Sequence, residues 1–328
     1  MIRIDRRGAL GLALGTVGLS AARASAQPTW PNKPITFLVP FAPGGASDIT
    51  ARAISGRMAQ TIGQSIVVDN RPAANGQAAA RMLARAAPDG YTVLVGSIGV
   101  FALNTVLYRN PGYDPVADFT PVTLAVTTPN VLVVNPAVAP VSDLPGLIAW
   151  MKSKPGQVFH ATSGIGSSPH LTMELFNQLT GTEATHVPAR GGAAAVLDQL
   201  AGRVQISFQG LGSIIESVRD GKLRPILVTA ERRIPMLPDV PTAAEAGLPD
   251  FVVSSWQAMM APRGLPAPVL ERLHAETVGA LRDPAIAAAL EAAGYAVVGD
   301  SPAEYAAFQR AEIDRWRRVA TAAHIVLD

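Results

Sequence analysis

The chain has 328 residues, 48% hydrophobic and 16% charged, which supports a large buried core and two domains and excludes a disordered or highly charged chain. It contains no cysteine, which excludes disulfides, thiolate metal sites, a cysteine nucleophile and lipid attachment at an N-terminal cysteine. The formal charge is +2, but residues 1–26 hold four arginines and one acid, so the remainder carries 23 basic and 24 acidic side chains and offers no electrostatic case for nucleic-acid binding.

The N-terminus reads as a cleavable export signal. Arg3, Arg6 and Arg7 precede an uncharged stretch, Ala9 to Ala22, too short to span a bilayer permanently, and Ala24-Ser25-Ala26 fits a small-x-small cleavage site. Adjacent Arg6-Arg7 also resembles a twin-arginine signal, so both export routes stay open. An exported chain without a lipid anchor is expected in the periplasm.

Beyond residue 26 strands and helices alternate. Ile35 to Val39 reads as a strand buried on both faces, followed by a helix over 48–60 with Ile54, Met58 and Ile62 on one face. A strand at 65–68, a helix at 75–87 ended by Pro88-Asp89-Gly90 and a strand at 91–95 complete a β-α-β-α-β unit. The order restarts with a strand at 131–134, a helix from Ser142 or Asp143 to Lys152, a strand at 158–161, a helix at 169–179, a strand at 185–187, a helix at 193–200, a strand at 204–208, a helix at 213–220 and a strand at 224–229. The C-terminal third reads as helical over 268–281, 284–292 and 302–322. The order implies two α/β lobes.

Three strand-to-helix junctions could hold a ligand, because an open α/β sheet binds ligands there. The first is Pro40-Phe41-Ala42-Pro43-Gly44-Gly45-Ala46-Ser47-Asp48, where the glycines allow close backbone approach and free helix amides favour an anion. Ser47 can donate a hydroxyl, whereas Asp48 would repel an anion and fits a capping or loop-orienting role. The second is Ser163-Gly164-Ile165-Gly166-Ser167-Ser168-Pro169-His170, rich in neutral donors suited to a carboxylate or phosphate. The third, Pro188-Ala189-Arg190-Gly191-Gly192, adds a guanidinium that either pairs with a carboxylate or points to solvent.

Enzyme chemistry finds little support. The chain lacks a Gly-x-Ser-x-Gly elbow, a phosphate-binding Gly-Lys-Ser/Thr loop and a dinucleotide Gly-x-Gly-x-x-Gly at its first junction. His160, His170, His186, His274 and His324 show no metal-site spacing, so no metal and no cofactor is expected. A serine hydrolase built on Ser167 and His170 remains as a competing reading.

Taken together, several segments resemble the substrate receptors of tripartite tricarboxylate transporters, the Bug receptors. They are Pro34-Ile35 with Val39-Pro40-Phe41-Ala42-Pro43-Gly44-Gly45-Ala46-Ser47-Asp48, Val68-Asp69-Asn70-Arg71-Pro72, Pro88-Asp89-Gly90-Tyr91-Thr92, Tyr113-Asp114-Pro115 with Asp118-Phe119, Val133-Val134-Asn135-Pro136, Gly164-x-Gly166-Ser167, His186-Val187-Pro188, Gly221-Lys222-Leu223-Arg224 and Leu237-Pro238-Asp239-Val240-Pro241-Thr242 with Glu245-x-Gly247. The resemblance implies a type II periplasmic-binding-protein fold, two α/β lobes around a ligand cleft joined by two crossing strands. With crossings near Val122 to Val126 and Ile226 to Thr229, lobe one would be residues 27–124 plus 229–328 and lobe two residues 125–228. It further implies a non-enzymatic receptor that captures a small organic acid and hands it to transporter membrane subunits, or reports it to a membrane sensor. A monomer without nucleic-acid partners is expected.

The ligand-binding residues so implied are Phe41, Ala42, Gly44, Gly45, Ser47 and Asp48 from one lobe and Ser163, Gly166, Ser167 and Ser168 from the other, joined by Arg190 and Gly191 of the third junction. The chain departs from the family pattern at Ala73-Ala74-Asn75-Gly76, where Gly-Ala-Gly-Gly is common, and at Ala189, Gln205 and Gln209, where an aromatic residue and two aspartates are common. The identity of the acid is therefore not transferable from a relative.

Overall fold

The computed structural model describes residues 30–189 and 191–327; the expected signal segment and Arg190 lie outside them. The first α/β unit forms as read. Strand β1 (Ile35–Val39) lies between two parallel neighbours, β2 (Ile66–Asn70) and β3 (Thr92–Ser97). Burial on both faces explains its continuous apolar run. Helix α1 (Ala46–Ile62) lays Ile54, Met58 and Ile62 on Ile35, Phe37 and Val39 and stops at Gly63, whose left-handed φ of 70° lets its N–H reach the Ala59 carbonyl at 3.2 Å. A short 3-10 turn at Ala74–Gly76 then leads into α2 (Gln77–Ala84), which packs on β3.

The two halves are joined by β4 (Phe119–Val134), a strand of 16 residues. Residues 119–129 run antiparallel to β9 (Ser254–Pro262), and residues 130–134 run antiparallel to β7 (Ile206–Gly210). Its far half also pairs with β8 (Arg224–Val228), and its near half with the two-residue β10 (Ala296–Val297). Only the last four residues of β4 were read as strand from the sequence. Pro121 and Pro129 interrupt the pattern, and the ladder accommodates Pro121 by shifting register between Pro121 and Thr123. Strand β9 was not anticipated at all: its Gln257, Ala258, Met259 and Met260 favour helix in isolation, but burial between β3 and β4 overrides that preference.

The second half repeats the parallel theme with β5 (Phe159–Thr162), β6 (Thr185–Pro188) and β7, giving the strand path β2-β1-β3-β9-β4-β7-β5-β6. Its helices are α4 (Leu144–Lys152), α5 (Ser168–Thr180), α6 (Gly192–Leu200) and α7 (Leu211–Arg219). Asp143 caps α4 by accepting from the Gly146 amide at 2.8 Å. Strand β8 stays with this half, and Thr229 to Val253 leads back to β9.

A short helix α3 (Asn104–Leu107) follows a wide turn at Gly99–Leu103, and α8 (Ala267–Leu281), α9 (Pro284–Ala292) and α10 (Pro302–Ala322) complete the chain. Helix α10 starts with a reciprocal Ser301–Glu304 capping box. The largest core cluster runs through both halves, from Phe101 and Trp256 to Phe176, Phe208 and Phe251. Glu312 accepts from the indoles of Trp256 at 3.0 Å and Trp316 at 3.1 Å, tying α10 to β9 inside that core. No helix among the described residues is long and apolar enough to cross a membrane.

Candidate ligand-binding site

The first junction is a loop built around one buried carboxylate. Asp48, 3% exposed, accepts from the Gly44 amide at 2.9 Å, from Asn70 Nδ2 at 3.0 Å and from Arg52 Nε at 3.0 Å on each oxygen. Burial pushes its pKa up, but the bonds from Arg52, Gly44 and Asn70 prevail and hold the carboxyl below its ordinary value. Asp48 thus orients the loop. Asn70 Nδ2 also donates to the Phe41 carbonyl at 3.0 Å, fixing the other arm. The Gly45 amide reaches the Ala42 carbonyl at 3.3 Å. What remains is the first turn of α1: the amides of Ala46, Ser47 and Asp48 have no acceptor among the described residues. The Ser47 hydroxyl, read from sequence as a free donor, gives its proton to Gln257 Oε1 at 2.6 Å instead.

The second junction is tied to itself in the same way. Ser167 Oγ donates to the Gly164 carbonyl at 2.7 Å, and the Gly166 amide donates to His170 Nδ1 at 3.2 Å. Ser168 and His170 keep amides without acceptors among the described residues. Asn130, buried in β4 between the two halves, donates from Nδ2 to Ser168 Oγ at 3.0 Å and to Thr172 Oγ1 at 2.8 Å. The Ser168 oxygen therefore acts as an acceptor from Asn130, and its own proton is free for another group. Sequence reasoning missed Asn130, because a lone polar residue in an apolar strand carries no motif.

Close contacts bring the loops together. A Cβ on Gly166, whose φ is 72°, would sit 2.7 Å from Leu107 Cδ1 and 3.5 Å from Asn75 Nδ2, both in the first half of the chain. Gly164 approaches the Ala189 carbonyl, 3.7 Å from where its Cβ would be, so the second and third junctions lie side by side. Gly191, φ 109°, caps the N-terminus of α6. Ser163 and Gly45 are half-buried; Ala42 and Gly44 are exposed.

Beneath the second loop lies a stack of three imidazoles that the sequence did not announce. His170 and His186 have centroids 3.9 Å apart, and His186 and His160 are 4.9 Å apart. Burial, then the neighbouring imidazoles, lower His160 and His170 to about 3, and burial lowers His186 to about 4. His186 Nε2 meets Thr162 Oγ1 at 2.7 Å, while neither nitrogen of His160 has a partner. His170 is therefore a poor base, stacked and turned away from Ser167, whose proton already lies on a carbonyl. The hydrolase reading loses its geometry. Among the described residues no group of three His, Asp or Glu side chains could hold a metal ion.

A site of unpaired helix amides and neutral hydroxyls between two α/β halves defines a class, a solute-binding receptor of type II periplasmic-binding-protein fold. The sequence profile described as "Tripartite tricarboxylate transporter family receptor" matches residues 50–325. The chain is 36% identical over 311 residues to Protein BugT of Bordetella pertussis, covering 94% of each chain. It is similar to two solved structures from Rhodopseudomonas palustris. Rpa4515 with adipate is 38% identical at a TM-score of 0.84, covering 90% of this chain and 99% of that one. MatC with bound malate is 35% identical at a TM-score of 0.80, covering 88% and 99%. The protein belongs to the tripartite tricarboxylate transporter receptor family, that of the Bug receptors, and is a solute-binding receptor rather than an enzyme.

Proposed function

We propose that this protein is a periplasmic receptor that captures a small organic carboxylate between its two lobes and delivers it to the membrane subunits of a tripartite tricarboxylate-type transporter. The observation that carries the reading is the pair of opposed helix N-termini, α1 and α5, whose amides at Ala46 to Asp48 and at Ser168 and His170 lack acceptors while their loops are fixed by Asp48 and Asn130. Each such end favours an anion by on the order of 0.3–1 kcal/mol when exposed and up to ~2 when partly buried. Adipate and malate, held by two relatives of known structure, are both dicarboxylates.

The proposed ligand contacts are Phe41, Ala42, Gly44, Gly45, Ser47 and Asp48 on one side and Ser163, Gly166, Ser167, Ser168, Gly191 and Arg190 on the other. The bonds just described favour backbone amides and Ser168 as direct donors, and Ser47, Asp48 and Ser167 as residues that hold the loops. Lobe one is proposed as residues 27–124 with the C-terminal segment and lobe two as the residues from 125. The first crossing is supported by the continuity of β4. Strand pairing favours a second crossing at Val253–Ser254 rather than at Ile226–Thr229, since β8 pairs with residues 131–134 and Thr229 donates to the Asn130 carbonyl at 3.0 Å. Export to the periplasm rests on the leader at residues 1–26, and the receptor is proposed to act as a monomer without nucleic acid, metal or cofactor.

A thermal-shift screen of residues 27–328 against mono-, di- and tricarboxylates tests this. A true ligand at 100 times its Kd adds ~2.7 kcal/mol of stability, and a library in which no carboxylate stabilises the protein would refute the reading.

A further inference from the structure

The N-terminus of α6 carries a feature that the two-ended clamp leaves unused. Its first amides, from Gly192, Ala193 and Ala194, have no acceptor among the described residues; the ladder of the helix begins with Ala195 N–H on the Gly191 carbonyl at 3.2 Å. Directly beneath lies Gln209, at the end of β7. Its side chain is 1% exposed, yet neither end of the carboxamide has a hydrogen-bond partner, and Nε2 is fully buried. Gln209 Oε1 lies 3.7 Å, and the exposed Ser213 Oγ 3.1 Å, from where a Cβ on Gly192 would be. A half-turn of the carboxamide exchanges its two ends, so Gln209 can offer an N–H to an oxygen placed there. A buried amide without a partner is a standing cost that such an oxygen removes.

We infer that the α6 N-terminus, with Gln209 and Ser213, is a second oxyanion subsite in the cleft, one that reads a distal carboxylate of the same ligand. This rests on the proposed function and deepens it. The contact between Gly164 and the Ala189 carbonyl puts the second and third junctions within reach of a single small molecule. The donor set is the amides, a hydroxyl and a neutral carboxamide. It suits a negative oxygen and disfavours an ammonium, which would face the positive end of the helix dipole. The receptor then selects diacids over monoacids of equal length.

The test is isothermal titration of the chain from residue 27 with succinate, glutarate and adipate and with butyrate, pentanoate and hexanoate. At least one diacid should bind about tenfold or more tighter than its matched monoacid. Gln209→Glu, which replaces the donor by a charge of the wrong sign, should remove that preference while changing the monoacid Kd by less than about twofold. Gln209→Met, uncharged and of similar volume, guards against a folding artefact and should reduce the preference in the same direction. Equal binding of diacid and monoacid by the unaltered chain would overturn the subsite but leave the carboxylate receptor standing, as would an equal loss of both ligands in both variants. Failure of every carboxylate to bind would overturn both.

Discussion

The buried imidazole stack makes acid stability the sharpest quantitative consequence of this fold. His160, His170 and His186 are held neutral, with pKa values of about 3, 3 and 4, whereas in the unfolded chain each protonates near its ordinary value. The unfolded state therefore binds more protons once the pH falls below about 6.5, and stability that is fully present above that value is withdrawn on the way down to the folded pKa values. Between about pH 7.5 and about pH 5 each imidazole withdraws about 2 kcal/mol, and the three together about 6 kcal/mol as a ceiling. Glu174 faces His170 Nε2 at 3.8 Å, and burial raises its pKa; it works in the opposite sense and trims the loss. The carboxylates with lowered values, Asp48 and Asp283 among them, lose their contribution only at lower pH, so the window belongs to the histidines. Urea denaturation at stepped pH measures the effect. His160→Leu, which replaces a ring whose nitrogens have no partners, should flatten the profile by about 2 kcal/mol across the window. A change of less than about 1 kcal/mol between the two pH values, or an unchanged slope in His160→Leu, would refute the reasoning.

The same protonation places a hydrogen on His170 Nδ1, which now accepts from the Gly166 amide, so carboxylate affinity should fall with acid before global unfolding, as titrations at matched ionic strength would show. Asp48→Ala should destabilise the fold by about 1–3 kcal/mol and weaken binding further, because it releases the Gly44 amide, Asn70 and Arg52 together; denaturation and titration of the same variant separate the two effects. Asn130→Ala should cost a similar amount and reduce affinity through Ser168, which a double-mutant cycle with Ser168→Ala would report as strong coupling. Glu312→Ala orphans two buried indole N–H groups and should lower stability by about 1–3 kcal/mol for each, with ligand affinity unchanged in the variant that remains folded at 25 °C.

The sequence by itself determined the local order and the chemistry of the junctions. Period and turn residues were enough for β1 with α1 and for the helices at the C-terminus, because each of these elements carries its own signal: an apolar run, a four-residue spacing, a glycine or proline at the end. It also marked the Gly- and Ser-rich loops where strands hand over to helices. Tertiary structure decided what those loops do. Ser47 and Ser167 look like ligand donors in the sequence, but their protons go to Gln257 and Gly164, partners set by packing in one case and loop curvature in the other. Strand β9 and the full length of β4 exist only because neighbours on both sides satisfy their backbone groups, which no local pattern of Ala, Met, Gln and Pro announces. Asn130, Gln209 and the three stacked histidines lie far apart in the chain or alone within apolar strands. Their roles arise from burial and from which partners the fold supplies or withholds, quantities fixed by three-dimensional packing and not by neighbours in sequence.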